Sequence, residues 1–411
     1  MERLLSHLNY LKMHVPFYME RNHQATSIAE LPIMTKDMIR KQYGEFFSNE
    51  FAEVKDRLVE FVQNPAIQKD RTDNELYFSE DIIVEETTGT SGVPFRCAKT
   101  KPERAVLSLG IWKQRRRVDR EVSPGNLFQF NHIGKDADKL DIYNYDPENL
   151  LKIYGKVKDA NARWLHTPPS TIQHHVASLQ KNNIQLDLPK LKVIESNGEY
   201  LRPETKKILE EYFNVQVVNQ YGTIETWTIG LSCACGNLHI NENVHVELVD
   251  DDNNPITKPH VTGRLLLTAL SNRLLPFTRY LSGDYGYFNE ETCGCGNPNP
   301  TFTVLEGREI NLIKGCKEKL YGNVFFHQMV RRVLRERQIP GLEYIQVIQS
   351  NLDHFIVYTN YFDEVEVFME LFASAACLCM ERDVAFQHNI LSESEIVRKQ
   401  REKPNVFICR C

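Results

Sequence analysis

The sequence has no long apolar run. Across 411 residues no stretch of about 18 uncharged apolar residues occurs, the length a helix needs to cross a bilayer. Residues 1–18 are broken by Ser6, His7, Asn9 and Lys12, with no small-residue cleavage site after them, so they do not read as a secretory signal. There is no excess of positive charge either. The formal net charge is -6, which speaks against nucleic acid as a partner, because phosphate backbones select basic surfaces. Small anionic substrates stay open, since a local pocket of donors serves them. Internal repeats and low-complexity tracts are also missing. The expectation is a cytoplasmic protein with no membrane or nucleic-acid partner. In a reducing compartment its ten cysteines are metal ligands or free thiols rather than disulfides.

What is present reads as a soluble chain too long for one core, so a large domain with a smaller one is expected. Residues 1–60 follow helical spacing at Leu5, Leu8, Leu11 and Met13, and Thr35 is placed to cap a helix from Met38 to Tyr43. Residues 101–121 read as helical and basic. From 122 to 220, apolar runs at 126–130, 191–195 and 215–218 alternate with helical stretches at 171–182 and 203–213, the pattern of an α/β domain. After 240, Val244, Val246 and Leu248 alternate with polar residues, 250–255 turns, and 263–270 returns as a strand, an antiparallel hairpin. Asp250–Asp252 lack the spacing and distal glutamate of a calcium loop and read as a solvated turn. Past 307 a last α/β segment is expected. It has a helix near 324–337, strands near 343–349 and 353–359, and a helix near 363–380.

One short segment carries chemistry by its residue types. Thr87, Thr88, Gly89, Thr90, Ser91, Gly92, Val93 and Pro94 follow a strand-like Ile82-Ile83-Val84. Glycines let successive N–H groups turn toward one anion, and the hydroxyls add donors. No Gly-Lys-Ser/Thr follows, so this is not a Walker loop; a plain surface turn has the same composition. Two Cys-x-Cys-Gly-Asn segments, Cys233–Asn237 and Cys293–Asn297, offer four soft ligands for a closed tetrahedral zinc site. Cys377, Cys379, Cys409 and Cys411 have no matching glycines and read as core or tail thiols. Lys113–Arg117 spread around a helix and read as a solvated face.

The glycine–hydroxyl segment resembles the phosphate loop of the adenylate-forming superfamily, Ser/Thr-Ser/Thr-Gly-Ser/Thr-Ser/Thr-Gly-x-Pro, at every position. Arg96 stands where several family loops carry a lysine. Further resemblances follow in the family order. Gly198-Glu199 resembles the segment before the adenine site. Tyr221-Gly222-Thr223-Ile224-Glu225 resembles Tyr-Gly-x-Thr-Glu with the threonine one place earlier. Tyr280–Asp284 resembles the Thr-Gly-Asp segment, and Gly307–Gly315 resembles Gly-Arg-x-Asp-x-x-Ile-Lys-Gly, with Ile310 in place of the hinge aspartate. Pro16–Tyr18, Leu31–Lys36 and Tyr321–Phe325 are similar to the phenylacetate-CoA ligase-like subgroup.

The resemblance implies a large N-terminal domain over 1–306, of mixed sheets and helices with a β-rich section. A small mobile α+β domain over 307–411 would follow a hinge. It implies activation of a carboxylic acid, aryl or acyl, by ATP to acyl-AMP. The acyl group then passes to the thiol of CoA or of a phosphopantetheine carrier protein. Transfer to an amine or hydroxyl, and a nucleotide-binding relic without turnover, are the alternatives, and a homodimer is one arrangement. In this reading Thr87–Gly92 cradle phosphates, and Gly198, Glu199, Tyr221, Gly222 and Thr223 line the adenine site. Asp284 holds the ribose diol, Glu225 binds Mg²⁺, and Arg308 and Lys403 meet developing charge, with Lys399 as the fallback lysine. The subgroup also implies a structural zinc set of Cys233, His239, Cys293 and Cys295, beside the alternative in which Cys235 completes four cysteines. Phe128, Phe130, His132 and Trp227 are either acid-pocket walls or core.

Overall fold

The computed structural model describes residues 2–64, 75–86, 95–130, 142, 145–290, 293–308, 313–314, 320–321, 345–380, 384–392, 394–396 and 407–409. The N-terminal helices are α1 (Glu2–His14), α2 (Pro16–Arg21), α3 (Lys36–Lys41), α4 (Tyr43–Phe46) and α5 (Ala52–Gln63). As the sequence predicts, Thr35 caps α3, its Oγ1 accepting from Met38 N at 3.2 Å. Strands β1 (Glu75–Tyr77), β2 (Ile82–Glu86) and β3 (Arg96–Thr100) form a three-stranded antiparallel sheet. The apolar helix faces of this region, β2, β3 and residues near 275 share one core with Phe46, Phe47, Phe95 and Tyr280 inside it.

Helix α6 (Lys101–Val118) starts at a capping box in which the Thr100 and Glu103 side chains each satisfy the other's backbone N–H. The α/β section follows: β4 (Leu127–Gln129), α7 (Pro147–Asp159), β5 (Trp164–Thr167), α8 (Pro169–Lys181), β6 (Val193–Ser196), α9 (Pro203–Phe213) and β7 (Gln216–Thr223). Strands β4 to β7 run parallel, neighbour to neighbour. Successive side chains alternate across the sheet. Leu165, Ile194 and Val217 therefore pack toward α7, α8 and α9, whereas Trp164, Val193 and Val218 pack with Ile111 of α6.

The β-rich section comprises β8 (Trp227–Ser232), β9 (Leu238–Ile240), β10 (Val244–Val249), β11 (Gly263–Ala269), β12 (Tyr280–Phe288) and β13 (Thr301–Arg308). With β4–β7 it makes one ten-stranded sheet in the order β10-β11-β12-β13-β9-β8-β7-β6-β5-β4. The hairpin expected at 244–270 is β10 paired antiparallel with β11, its turn closed by Asp250 accepting from the backbone N–H groups of Asp252 and Asn254.

Short strands β14 (Ile313–Lys314) and β15 (Leu320–Tyr321) pair with each other. Beyond them lie β16 (Ile345–Asn351), β17 (His354–Thr359), α10 (Val365–Met380), β18 (Ala385–Ile390) and β19 (Phe407–Cys409). Their sheet has the order β18-β17-β16-β19, antiparallel at its centre and parallel at both edges. The helix expected near 324–337 lies outside the described residues. Among the described residues the chain divides into two compact units. One runs to Ser282 and covers Gly286–Thr303; the other holds Gly283–Tyr285 and the chain from Val304.

Candidate active site

The parallel pairing of β4, β5, β6 and β7 ends at one level, at Gln129, Thr167, Ser196 and Asn219. In open α/β sheets this carboxyl edge is where ligands bind, because the loops leaving it diverge and open a crevice. Two sequence-predicted segments emerge there. Asn197 N still bonds Thr167 O at 3.2 Å. Gly198 then turns at φ +75° with open space at its Cβ position, and Glu199 is exposed. Tyr221 and Gly222 sit at the far end of β7, where a bulge separates them. The half-buried Tyr221 ring meets Phe302 edge-on at 5.9 Å. Any Cβ on Gly222 would lie 2.7 Å from Trp227 O, so only glycine allows the β7–β8 strands to close. Thr223 Oγ1 accepts from Thr226 N at 3.1 Å and shares a hydrogen bond with Thr226 Oγ1, shaping the turn that carries Glu225.

Glu225 is buried at 3% exposure. Its Oε1 accepts from Tyr280 Oη at 2.6 Å and faces Lys36 Nζ at 2.9 Å, while its backbone O accepts from Asn272 Nδ2 at 3.1 Å. Burial alone would raise its pKa; Lys36 and the Tyr280 hydroxyl outweigh that and hold it below the usual carboxylate range. Lys36 is not among the sequence-predicted site residues; its signals are its place after the capping Thr35 and the Leu31–Lys36 resemblance.

The hairpin β2–β3 brackets residues 87–94, which lie outside the described residues, as do Thr87, Thr88, Gly89, Thr90, Ser91 and Gly92. Glu86 stands opposite Arg96 in register. Arg96 Nε donates to Glu86 at 2.9 Å, and its Nη1 donates to the carbonyls of Phe61 (3.2 Å) and Asn64 (2.7 Å). Arg96 thus ties the base of this hairpin to the end of α5.

Helix α6 corrects the solvated-face reading of 113–117. Lys113, Arg116 and Arg117 are exposed, but Gln114 and Arg115 are buried. Arg115 makes a two-pronged pair with Glu195 of β6, at 2.7 and 2.9 Å. Trp164 Nε1 donates to the same carboxylate at 2.6 Å, and His166 lies 3.6 Å away. Burial opposes the charge of Glu195, but Arg115 and His166 keep its pKa lowered. Helical geometry places Arg104, three turns earlier, on the same face, where its guanidinium covers the Trp227 ring at 5.0 Å.

Of the aromatic pocket candidates, Phe130 is core, packed edge-on against Phe128 and Tyr154. Trp227 points its indole N–H at Glu85, and His132 lies outside the described residues. In the second unit Asp284 is buried on β12, after Gly283 at φ +80°. Arg308 ends β13. Ile310, Lys399 and Lys403 lie outside the described residues.

The cysteine pairs form a second centre, within the first unit. The β8–β9 turn carries Cys233 and Cys235, β9 carries His239, and the β12–β13 connection carries Cys293 and Cys295; β9 and β13 are paired. Gly236 and Gly296 take φ +85° and +78°, left-handed values that fold each Cys-x-Cys back, with Gly236 N bonding Cys233 O at 2.9 Å. The ligand atoms of Cys233, His239, Cys293 and Cys295 all lie within 4.8 Å of one another. Cys235 is exposed and outside that group. His239 Nδ1 is bonded to Asn299 O at 2.9 Å, which leaves Nε2 facing the sulfurs, the arrangement that orients a ligating histidine. Asn237 Nδ2 donates to Cys293 Sγ at 3.3 Å and, with other donors, lowers that thiol's pKa to about 5. Three soft thiols and one imidazole in this geometry suit a tetrahedral zinc ion.

No family model matches the chain. A phenylacetate-coenzyme A ligase of Thermus thermophilus is 24% identical to it over 162 residues. That match spans 38% of this chain and 36% of the ligase, little more than a third of the curated relative's length. Among solved structures, 2-hydroxyisobutyryl-CoA ligase in complex with 2-HIB-AMP aligns with a TM-score of 0.62, over 98% of this chain and 90% of that one, at 14% identity. The chain shares the fold of this ligase. Anthranilate CoA ligase in complex with anthranoyl-AMP aligns with a TM-score of 0.51 at 12% identity, covering 78% of this chain and 67% of that one. No helix among the described residues is long and apolar enough to cross a membrane.

Proposed function

We propose that this chain is an AMP-forming acid–thiol ligase. The reading is carried by one observation above the others: in an adenylate-forming fold, Gly198 and Tyr221 stand at the carboxyl edge of the parallel strands β4–β7. The substrate carboxylate attacks the α-phosphorus of ATP in line. An acyl–oxygen–phosphorus bond forms, the α–β phosphoanhydride breaks, and pyrophosphate leaves. A thiolate of CoA or a carrier then attacks the acyl carbon and AMP departs. Such chemistry asks the protein mainly for positioning and charge stabilisation.

Tyr221 gives adenine a flat face, Gly198 and Glu199 lie along the same edge, and Gly222 and Thr223 shape the turn beside it. Asp284 takes the ribose diol as a two-oxygen acceptor. The segment 87–92 meets the phosphates, and Arg308 and Lys403 the developing charge. Magnesium, when bound with ATP, would neutralise phosphate oxygens, and Glu225 is its proposed ligand. Cys233, His239, Cys293 and Cys295 would hold a structural zinc, closed to water. Residues from 307 onward form the proposed mobile domain.

The test is ATP–pyrophosphate exchange across a panel of aryl, acyl and amino acids, followed by transfer assays with CoA, carrier protein and amines. Acid-dependent exchange in the native protein, lost in Asp284→Ala, supports the nucleotide site. Full exchange in Asp284→Ala and in Glu225→Ala would overturn it.

A further inference from the structure

An ion pair beside this site has no part in the chemistry above. Lys99 of β3 is 0% exposed. Its Nζ donates to Glu85 Oε2 and to the carbonyl of Ile224, both at 2.7 Å. Register puts Lys99 opposite Ile83 and Cys97 opposite Glu85, so the pair runs diagonally across one face of β2–β3. The other Glu85 oxygen accepts from Trp227 Nε1 at 3.2 Å and faces Arg104 at 3.8 Å. The pair therefore grips Glu225 from both sides: the carbonyl just before it and the indole two residues after it. Trp227 itself sits at φ +63°, a conformation a bulky residue holds only where its surroundings over-determine it.

Stability is a poor explanation for this arrangement. Apolar residues of similar volume often replace a buried ion pair without loss. What charged, directional bonds add is one fixed geometry. The two strands are also those on either side of 87–94. We propose that Lys99 and Glu85 are positioning residues that lock the 224–227 turn, and with it the Glu225 carboxylate, to the β2–β3 hairpin. The consequence for catalysis rests on the acid-activation reading.

Lys99→Met alone strands a buried carboxylate and is expected to unfold. The test therefore uses the double variant K99M/E85Q and the single variant E85D, which keeps the counter-charge and two carboxylate oxygens to accept from both partners. Three readouts apply: thermal melting, the Trp227 indole N–H resonance in ¹⁵N-labelled protein (assigned with Trp227→Phe), and ATP–pyrophosphate exchange kinetics. In the double variant melting should stay within about 5 °C of native. The Trp227 resonance should shift and exchange faster, and kcat should fall about tenfold or more with acid KM little changed. E85D, one methylene shorter, should keep more of the rate than the double variant. An unmoved resonance in the double variant, a moved resonance with native kcat, or unfolding of both variants would overturn the proposal. Absence of exchange in the native protein with every acid would sink the functional reading instead. The Trp227 resonance would still decide whether the pair holds the turn.

Discussion

Around Glu225 and Glu85, the chain supplies its own counter-charges: Lys36 at 2.9 Å from one carboxylate and Lys99 at 2.7 Å from the other. Around Cys293 the opposite holds. Three thiols and an imidazole nitrogen converge within 4.8 Å, and what lies near them are hydrogen-bond donors such as Asn237. The first arrangement is balanced internally and stores a geometry. The second gathers donors of one kind, the arrangement a soft cation completes. Comparing the two separates carboxylates fixed by the chain's own cations from a set of soft donors; in the sequence the cysteines stand out as a repeated Cys-x-Cys-Gly-Asn motif, whereas Glu85 and the two lysines read as scattered ionisable residues.

Purified protein should carry one zinc per chain by elemental analysis. Cys295→Ser should lose it and about 5 kcal/mol or more of stability, given the size of structural zinc binding energies. Cys235→Ser should keep both. Equal losses in the two variants would restore the four-cysteine set. At the internally balanced extreme, Arg115→Met leaves Glu195 buried with only Trp164 and His166 beside it, and should cost about 3–5 kcal/mol in urea unfolding. An Arg115→Met/Glu195→Leu double variant should recover much of that.

A neutral buried group sharpens the contrast. Burial, then the charge of Arg273, lowers the pKa of His7 from 6.5 to about 4, and its Nε2 pairs with Thr278 Oγ1 at 2.9 Å. The unfolded chain takes up this proton first. The contribution of His7 is therefore complete above pH 6.5 and declines as pH falls toward 4, by about 3 kcal/mol in all. His7→Gln should flatten that part of the stability–pH curve. Smallest of all, Lys113→Ala removes an exposed pair with Glu242 and should change stability by about 0.5 kcal/mol or less.

Much of the fold was legible because hydrophobic periodicity survives burial. Helix α9 falls at Pro203–Phe213 as predicted, and β16, β17 and α10 fall close to their expected places. Strand β5 was not read, since Trp164-Leu165-His166-Thr167 mixes polar and apolar residues; all four are buried because His166 and Trp164 find partners in Gln220 and Glu195. Arg115 escaped for a related reason. A run of basic residues says nothing of the one whose face meets a carboxylate eighty residues away in sequence. The cysteine set was legible as two alternatives, and the convergence of His239 with three thiols distinguishes them geometrically. Lys36, Lys99 and Glu85 were invisible as a group, because their meaning comes from the β2–β3 register and the β7–β8 turn, which no short motif encodes.

Acid-dependent ATP–pyrophosphate exchange is the decisive assay for acid activation by this chain. At least one acid of the panel should drive exchange and AMP formation, and Asp284→Ala should abolish both while the protein stays folded. A native, zinc-loaded protein that binds ATP yet releases no pyrophosphate with any acid would contradict it, and would leave a nucleotide-binding protein on an adenylate-forming fold.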